Sequence, residues 1–176
     1  MKNLFVFLIP IVFISFLYAQ ENTTQELCKI KTDDRSGKPM LVGFCTKEIL
    51  LSDTNFSVWF LNEFNKYVPD KNILNMIKLD EIKIVCIQGT WCSDSRREVP
   101  RFFKILYELN YDLENLTMIC VDRKKQADNI DVDQFVIEKV PTFIFYKDDS
   151  ELGRIIETPK NTLEIDLLEI LLGEAP

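Results

Sequence analysis

Residues 82–100 have the sequence Ile82-Lys-Ile-Val-Cys-Ile-Gln-Gly-Thr-Trp-Cys92-Ser-Asp-Ser-Arg-Arg-Glu-Val-Pro100. The first half is apolar and rich in β-branched residues, which predicts a buried strand. Gly89 and Thr90 interrupt that run, and the residues from 93 to 109 carry helical spacing. A cysteine, Cys92, therefore lies where a strand gives way to a helix.

This position favours a reactive sulfur at Cys92. The first turn of a helix leaves backbone N–H groups unpaired and carries the positive end of the helix dipole, and both stabilise a thiolate. Arg96 and Arg97 add positive charge within one turn. Asp94 opposes them, but we expect the helix terminus and the two arginines to outweigh it. The sequence therefore predicts that Cys92 is a nucleophile.

Composition excludes several kinds of function. The 176-residue chain is 47% hydrophobic and 28% charged, which suits one sizeable core with appendages. Its formal net charge of −7 argues against nucleic acid or anionic lipid as a partner. The absence of histidine excludes histidine-based general base catalysis and the usual histidine metal sites. We expect neither a metal nor a cofactor.

Residues 1–19 have the layout of a secretory signal. Lys2 precedes an almost unbroken apolar segment from 4 to 17, and Ala19 offers a small residue for cleavage. A retained membrane anchor is the alternative, which the short apolar run and its internal Pro10 disfavour. We therefore expect export, into a bacterial periplasm, with membrane contact only through an uncleaved signal segment.

Five cysteines in an exported chain suggest disulfide bonding, and the odd number leaves at least one thiol unpaired in the monomer. Two extended stretches around a turn-rich centre predict a hairpin over residues 27–44. If Ser36 and Gly37 form a two-residue turn, Cys28 and Cys45 face each other within disulfide range. Two separate buried thiols in another register are the alternative, because Ser-Gly is a weak hairpin signal.

The remaining segments complete an α/β pattern. A helix capped by Asp53 or Thr54 carries aromatic residues at helical spacing, which we interpret as the side that packs on the sheet. We expect strands over 117–121, 140–146 and 152–157, and helices over 70–78, 129–138 and 161–172. The basic residues 123–125 are interpreted as a solvated loop. This order of elements predicts an α/β fold with a mixed sheet.

Several of these features recur together in one known family. They are Trp91-Cys92 at a strand-to-helix turn, Pro100 in the following helix, Val140-Pro141-Thr142 at the start of a strand, and Leu152-Gly153-Arg154 after a charged turn. In this order the sequence resembles the thioredoxin family over about residues 80–172. The resemblance implies a thioredoxin-like domain over 80–176, with a mixed central sheet flanked by helices. Residues 20–79 form an N-terminal extension, a hairpin plus helices, that the resemblance does not cover.

The resemblance also assigns roles to residues far from Cys92 in the sequence. It implies that Pro141 is a cis-proline that lies against Cys92 and presents backbone to an extended substrate peptide. It further implies that Trp91, Val140 and Thr142 bind substrate.

Two departures from the family pattern change the expected chemistry. Ser95 stands where the family commonly has a second cysteine, and Cys86 stands where thioredoxins carry a buried acid. A serine hydroxyl cannot resolve a mixed disulfide, although Ser95 can donate a hydrogen bond to the Cys92 thiolate. Cys86 and Cys120 lie in apolar strand runs, and we interpret both as buried packing residues.

Two functions fit these features best. The favoured one is a thiol–disulfide oxidoreductase that reduces or isomerises the disulfides of exported proteins or small molecules through a mixed disulfide with Cys92, with Ser95 and Pro141 assisting. The alternative is a non-catalytic thioredoxin-fold module that binds a peptide or protein. A thiol peroxidase is a third possibility, but no threonine-rich peroxide pocket precedes Cys92.

Overall fold

Six strands form one sheet in the computed structural model, which describes residues 28–174. Their bounds are β1 Lys29–Thr32, β2 Pro39–Cys45, β3 Ile82–Gln88, β4 Leu116–Cys120, β5 Thr142–Lys147 and β6 Ser150–Ile156. They lie in the order β1-β2-β4-β3-β5-β6. The pair β3 and β4 is parallel, and the other neighbouring pairs are antiparallel. The predicted mixed central sheet is confirmed.

Helices flank this sheet in the described part of the chain. They are α1 Lys47–Ser52, α2 Thr54–Lys66, α3 Lys71–Leu74, α4 Ser93–Glu108 and α5 Leu163–Leu172, with 3₁₀ turns at Leu113–Asn115 and Asp133–Phe135. Strand β3, helix α4 and strand β4 form a parallel crossover, and the β5–β6 hairpin and α5 follow it. This is the predicted order of elements, except that a 3₁₀ turn replaces the helix expected between β4 and β5.

Most helices begin at a side chain that accepts a backbone N–H. Thr46, Asp53, Asp70 and Thr162 do so for α1, α2, α3 and α5. Helix α4 is different, because its N-cap is Cys92 and no side-chain capping bond is present. The start of α4 therefore keeps its N–H groups available to a ligand or a substrate.

The two faces of the sheet carry separate apolar clusters, because side chains alternate along a strand. The larger cluster joins strand residues to all five helices, and Phe102 and Phe143 lie in it with ring centroids 4.4 Å apart. The smaller cluster contains Ile87 and Val140, and Cys92 packs against it. The reactive turn therefore rests on the face of the sheet that carries the smaller cluster.

The aromatic stripe of α2 packs into the core and also contacts two other helices. Helix α2 lies against α1 and α4. Phe60 and Phe103 have ring centroids 5.6 Å apart, and Phe64 and Tyr107 have theirs 6.0 Å apart. Phe56 and Phe60 are buried in the same cluster as strand residues such as Ile84, so the stripe packs into the core that covers the sheet.

The predicted register of the N-terminal hairpin is wrong. Thr32 pairs with Pro39, so residues 33–38 form a loop in place of a two-residue turn centred on Ser36. The N–H of Asp33 donates to the carbonyl of Lys38 at 2.8 Å and closes this loop. The carboxylate of Asp33 accepts from the Ser36 hydroxyl. Such side-chain hydrogen bonds stabilise a wider loop than Ser-Gly alone would form.

The helices predicted over 70–78 and 129–138 are also corrected. The first is shorter and ends at Leu74. In place of the second, the structure has a 3₁₀ turn at Asp133–Phe135 and an isolated bridge between Ala127 and Ile130. Val136 has φ of +51°, which an L-residue does not adopt within a right-handed helix. The chain therefore turns there instead of continuing a helix.

The described part of the predicted extension belongs to the same sheet and core. Strand β2 pairs with β4, and α2 packs against α4. The boundary at residues 79 and 80 stays a prediction, and the predicted signal at 1–19 lies outside the described residues. Between residues 28 and 174, no helix is both long and apolar enough to cross a membrane.

Candidate active site

Cys92 lies directly before helix α4. Strand β3 ends at Gln88, and the Cys92 N–H donates to the carbonyl of Gly89 at 2.8 Å to close the turn that follows. The carbonyl of Cys92 accepts the N–H of Arg96 at 3.1 Å, the first helical hydrogen bond. The thiol is partly exposed. The structure therefore places an accessible sulfur at the positive end of a 16-residue helix.

The loop before β5 lies against the sulfur. The Val140–Pro141 peptide bond is cis, and the Cys92 thiol donates to the carbonyl of Val140 at 3.3 Å. The carbonyl of Pro141 accepts the N–H of Glu157 at 2.7 Å. The buried hydroxyl of Thr142 donates to the carbonyl of Lys139 at 2.7 Å. The structure thus brings Cys92 and Val140 together, whereas the side chain of Thr142 is turned into its own loop.

Trp91 is fixed beside Cys92 by three neighbours. Its indole N–H donates to the carbonyl of Val121 at 2.9 Å. A Cβ on Gly89 would lie 2.6 Å from the indole ring, so only glycine leaves room for this orientation. The guanidinium of Arg123 lies over the ring, 4.7 Å from its centroid. The indole is therefore a rigid wall of the site.

An ion pair from the N-terminal hairpin holds Arg123 over Trp91. Asp33 accepts two hydrogen bonds from the guanidinium, at 2.6 and 2.8 Å, and its side chain is 1% exposed. These bonds, with that from the Ser36 hydroxyl, hold the pKa of Asp33 well below its usual range. The hydrogen bonds to Asp33 raise the pKa of Arg123, so the guanidinium stays charged and paired above the ring of Trp91.

The interpretation of 123–125 as a solvated loop is therefore wrong for Arg123. Asp33 and Arg123 are 90 residues apart in the sequence, and no local pattern links them. Their pairing depends on the hairpin being folded against the end of β4. Sequence reasoning missed both residues for that reason.

Thr90 is a second link between the hairpin and the reactive turn, also missed from the sequence. Its hydroxyl oxygen accepts the backbone N–H of Leu41 at 2.9 Å, and both residues are buried. Leu41 lies in the first part of β2, before the residues from Gly43 to Cys45 that pair with β4. This part of the strand faces the reactive turn. The hydroxyl therefore takes the place of a strand partner.

Arg96 and Arg97 both form their described hydrogen bonds with groups other than the sulfur of Cys92. Arg96 donates to the carbonyl of Thr90 at 2.6 Å and braces the turn. Arg97 pairs with the carboxylates of Glu98, at 2.5 Å, and Asp94, at 2.8 Å. These carboxylates raise the pKa of Arg97. Neighbouring carboxylates therefore largely balance the positive charge of Arg97. Arg97 in turn balances the negative charge of Asp94.

Ser95 supports the turn from within the helix. It is fully buried, and its hydroxyl oxygen accepts the N–H of Gly89 at 3.2 Å. Among the hydrogen bonds described for residues 28–174, none joins Ser95 to the sulfur of Cys92, whose partner is Val140. A catalytic role for Ser95 stays a prediction, and its described contact is with the backbone of the turn.

The other described cysteines are either joined in a disulfide or buried. Cys28 and Cys45 form a disulfide with Cα atoms 5.1 Å apart. This disulfide forms although the strand register differs from the predicted one. The N–H of Cys28 donates to the carbonyl of Phe44 at 2.8 Å, which holds Cys28 beside the end of β2. Burial raises the pKa of the Cys86 and Cys120 thiols well above the usual range.

One group of possible metal ligands occurs in the described residues. The sulfurs of Cys28, Cys45 and Cys120 lie within 4.8 Å of one another. Two of the three are joined in the disulfide and are not available as thiolate ligands in this state. The expectation that the protein needs no metal stays a prediction.

Comparison with known proteins gives only distant similarities. No family model matches the chain, and no curated protein matches it. A solved structure of a protein of unknown function from Pseudomonas aeruginosa is 15% identical, with a TM-score of 0.47, over 68% of this chain and 82% of that one.

Two thioredoxins are among the similar structures. Oxidised thioredoxin O2 from Arabidopsis thaliana is 16% identical, with a TM-score of 0.36, over 63% of this chain and 85% of that one. Mitochondrial thioredoxin 3 from Saccharomyces cerevisiae is 18% identical, with a TM-score of 0.32, over 53% of this chain and 86% of that one. At this level of similarity the activities of these proteins do not transfer to this chain.

Proposed function

We propose that this chain is a thiol–disulfide oxidoreductase whose nucleophile is Cys92. The observation that carries the proposal is the setting of its sulfur. It is a partly exposed free thiol at the N-terminus of α4, 3.3 Å from the carbonyl of Val140. Within residues 28–174, the other cysteines are either buried or joined in a disulfide.

The first chemical step is attack by the Cys92 thiolate on one sulfur of a substrate disulfide. A bond forms between the Cys92 sulfur and that sulfur, and the second substrate sulfur leaves as a thiolate. The unpaired N–H groups at the start of α4 stabilise the attacking thiolate. The pairing of Arg97 with Asp94 reduces the repulsion between that carboxylate and the sulfur.

The second step needs a thiol from outside the motif, because Ser95 cannot displace the substrate from Cys92. For isomerisation, a free thiolate of the substrate attacks the substrate sulfur of the mixed disulfide, and the Cys92 thiolate is released. For reduction, a small thiolate attacks the Cys92 sulfur and releases the substrate as a dithiol, and a second small thiolate then forms the oxidised small disulfide and releases Cys92. No cofactor takes part.

The backbone at Val140 is the proposed contact for a substrate peptide. Its carbonyl accepts from the Cys92 thiol in the free protein and becomes available when that sulfur forms a mixed disulfide. The carbonyl of Pro141 is already used by Glu157. Trp91 lies alongside, so we assign substrate contact chiefly to Val140 and Trp91 and a supporting role to Pro141 and Thr142.

We further propose that residues 1–19 direct export to a bacterial periplasm, which would make exported proteins or small thiols the partners through Cys92. The composition of this segment and the disulfide between Cys28 and Cys45 support the proposal. The overall negative charge is the reason that nucleic acid is not proposed as a partner.

The test is turnover of a disulfide-bonded peptide by the chain without residues 1–19, with a small thiol as reductant. We expect catalysis by the unmodified chain and by the control Cys86→Ala, and none by Cys92→Ala. If Cys92→Ala retains the full rate, the proposal is wrong. If no variant turns over but Cys92→Ala still binds the peptide, the chain is a binding module.

A further inference from the structure

Three cysteine sulfurs lie together on the side of the sheet opposite the Cys92 site. The sulfurs of Cys28, Cys45 and Cys120 are within 4.8 Å of one another. Cys28 and Cys45 form the disulfide, and Cys120 is a free thiol with no exposed surface. A thiol held this close to a disulfide is within reach of exchange after small side-chain rotations.

We propose that Cys120 and the Cys28–Cys45 disulfide form a second thiol–disulfide exchange site, independent of the chemistry proposed for Cys92. The thiolate of Cys120 attacks the sulfur of Cys45, a Cys45–Cys120 disulfide forms, and Cys28 leaves as a thiolate. Cys28 takes up the proton that Cys120 gave up. The step is an isomerisation, so it needs no oxidant and no reductant.

Strand pairing selects Cys45 as the sulfur that Cys120 attacks. Strands β2 and β4 are direct neighbours, with Cys45 opposite Met118 and Gly43 opposite Cys120. Cys45 and Cys120 are therefore diagonal neighbours on one face of the sheet, within reach of each other's side chains. Cys28 precedes β1, which is separated from β4 by β2. The shorter cross-link is the one between Cys45 and Cys120.

The surroundings of Cys45 give its sulfur room to turn. A cavity of about 240 Å³ is lined by Cys45, Met118, Phe103 and neighbouring residues. A close-packed interior would resist a change of rotamer, and an adjacent cavity lowers that resistance. The exchange would therefore require little displacement of the backbone.

Gln88 provides the polar contact that the buried thiol needs. Burial raises the pKa of the Cys120 thiol, and a hydrogen bond with the fully buried Gln88 opposes this effect. The Nε2 group of Gln88 also donates to the Sδ atom of Met118 at 3.0 Å. An amide N–H that donates to Cys120 stabilises the sulfur as negative charge develops on it during attack.

The consequence of the exchange is a change in which thiol is accessible. Cys120 is fully buried and Cys45 is 5% exposed, whereas Cys28 is partly exposed. Moving the disulfide to Cys45 and Cys120 therefore converts a hidden thiol into a reactive thiol at the sheet edge. That thiol can be detected with a reagent that does not enter the core.

The experiment uses Cys92→Ala, which removes the other accessible thiol, with residues 20–176 otherwise intact and no added thiol. A maleimide labels accessible thiols at mildly alkaline pH, a second maleimide labels the rest after unfolding, and peptide mapping identifies the cross-links. The matched variants are Cys92→Ala/Cys120→Ala and, as control, Cys92→Ala/Cys86→Ala. Cys120→Ser replaces Cys120→Ala if that variant does not fold.

We expect Cys28 to be labelled in the native protein and a peptide cross-linked through Cys45 and Cys120 to be found. Without Cys120, labelling of Cys28 should be at least about tenfold slower, because release of Cys28 from its disulfide then requires an external thiol. The Cys86→Ala control should behave like its parent. The proposal is overturned if Cys28 is labelled at the same rate with and without Cys120, if only the Cys28–Cys45 cross-link is found, or if Cys28 and Cys120 form the new cross-link.

Discussion

Thr90→Val removes one hydroxyl that connects the N-terminal hairpin to the reactive turn. Valine has nearly the same shape, so the packing around this fully buried residue is retained. The N–H of Leu41, which donates to the Thr90 hydroxyl at 2.9 Å, loses its acceptor in a place that water does not reach. An unsatisfied buried donor costs about 1–3 kcal/mol, and we expect a loss of unfolding free energy of that size.

The assay for Thr90→Val is urea and thermal unfolding with the disulfide intact. A chain of this size loses about 2–4 °C of Tm per kcal/mol, so the expected fall is about 2–12 °C. Hydrogen exchange gives a local measurement, since the Leu41 amide should exchange on the order of 10- to 100-fold faster.

Thr117→Val is the matched control for this prediction. Thr117 is exposed on β4, so its substitution should change stability by no more than about 0.5 kcal/mol. If Thr90→Val is as stable as this control and the Leu41 amide keeps its protection, the hydroxyl does not hold the hairpin to the turn.

Three further changes test other parts of the site. Gly89→Ala places a Cβ 2.6 Å from the ring of Trp91, and the overpacking should cost about 1–3 kcal/mol in urea unfolding. An unchanged stability would show that the indole does not lie over Gly89. The pKa of Asp33 is lowered in the folded state, so its carboxylate stabilises the fold above its unfolded pKa of about 3.9, and this contribution is lost as the pH falls below that value. Asp33→Asn should therefore flatten the acid dependence of stability, and an unaltered dependence would refute the ion pair. Replacing Cys28 and Cys45 together by alanine opens a cross-link with sequence separation 17 and should cost about 3 kcal/mol. A cost near zero would indicate that the two thiols are not joined.

The parts of the fold that local sequence determines were predictable. The apolar run of β3, the break at Gly89 and the helical spacing of α4 lie within one continuous stretch, and the structure has them there. The later strands and α5 are also close to their expected positions. These elements depend on periodicity and on turn residues, both of which can be recognised without knowledge of the tertiary contacts.

The errors arose where distant contacts override local signals. The hairpin loop forms around Asp33, whose carboxylate binds Arg123 from the far end of β4, so Ser36 and Gly37 do not set the register. The predicted helix over 129–138 fails at Val136, where the backbone has positive φ. Apolar residues at helical spacing were not sufficient there, because the segment packs as a loop over the smaller core cluster.

The candidate site was predictable only in part for the same reason. The strand-to-helix turn itself indicates Cys92, and the resemblance to the thioredoxin family adds Trp91 and Pro141, which also lie at turns with recognisable sequences. The contributions of Asp33 and Thr90 come from contacts with a different region of the chain. Hydrogen bonds between residues so far apart in the sequence leave no periodic pattern in it.

The most direct test of the account is the rate at which Cys92 forms a mixed disulfide with a small disulfide reagent. The rate in the folded chain is compared with the rate in the chain unfolded by denaturant, and mass spectrometry identifies the modified cysteine. Because the start of a helix favours an adjacent thiolate, we expect the folded protein to react at Cys92 at least about tenfold faster at neutral pH. A folded rate no greater than the unfolded rate, or modification at another cysteine, would contradict the assignment of Cys92 as the nucleophile.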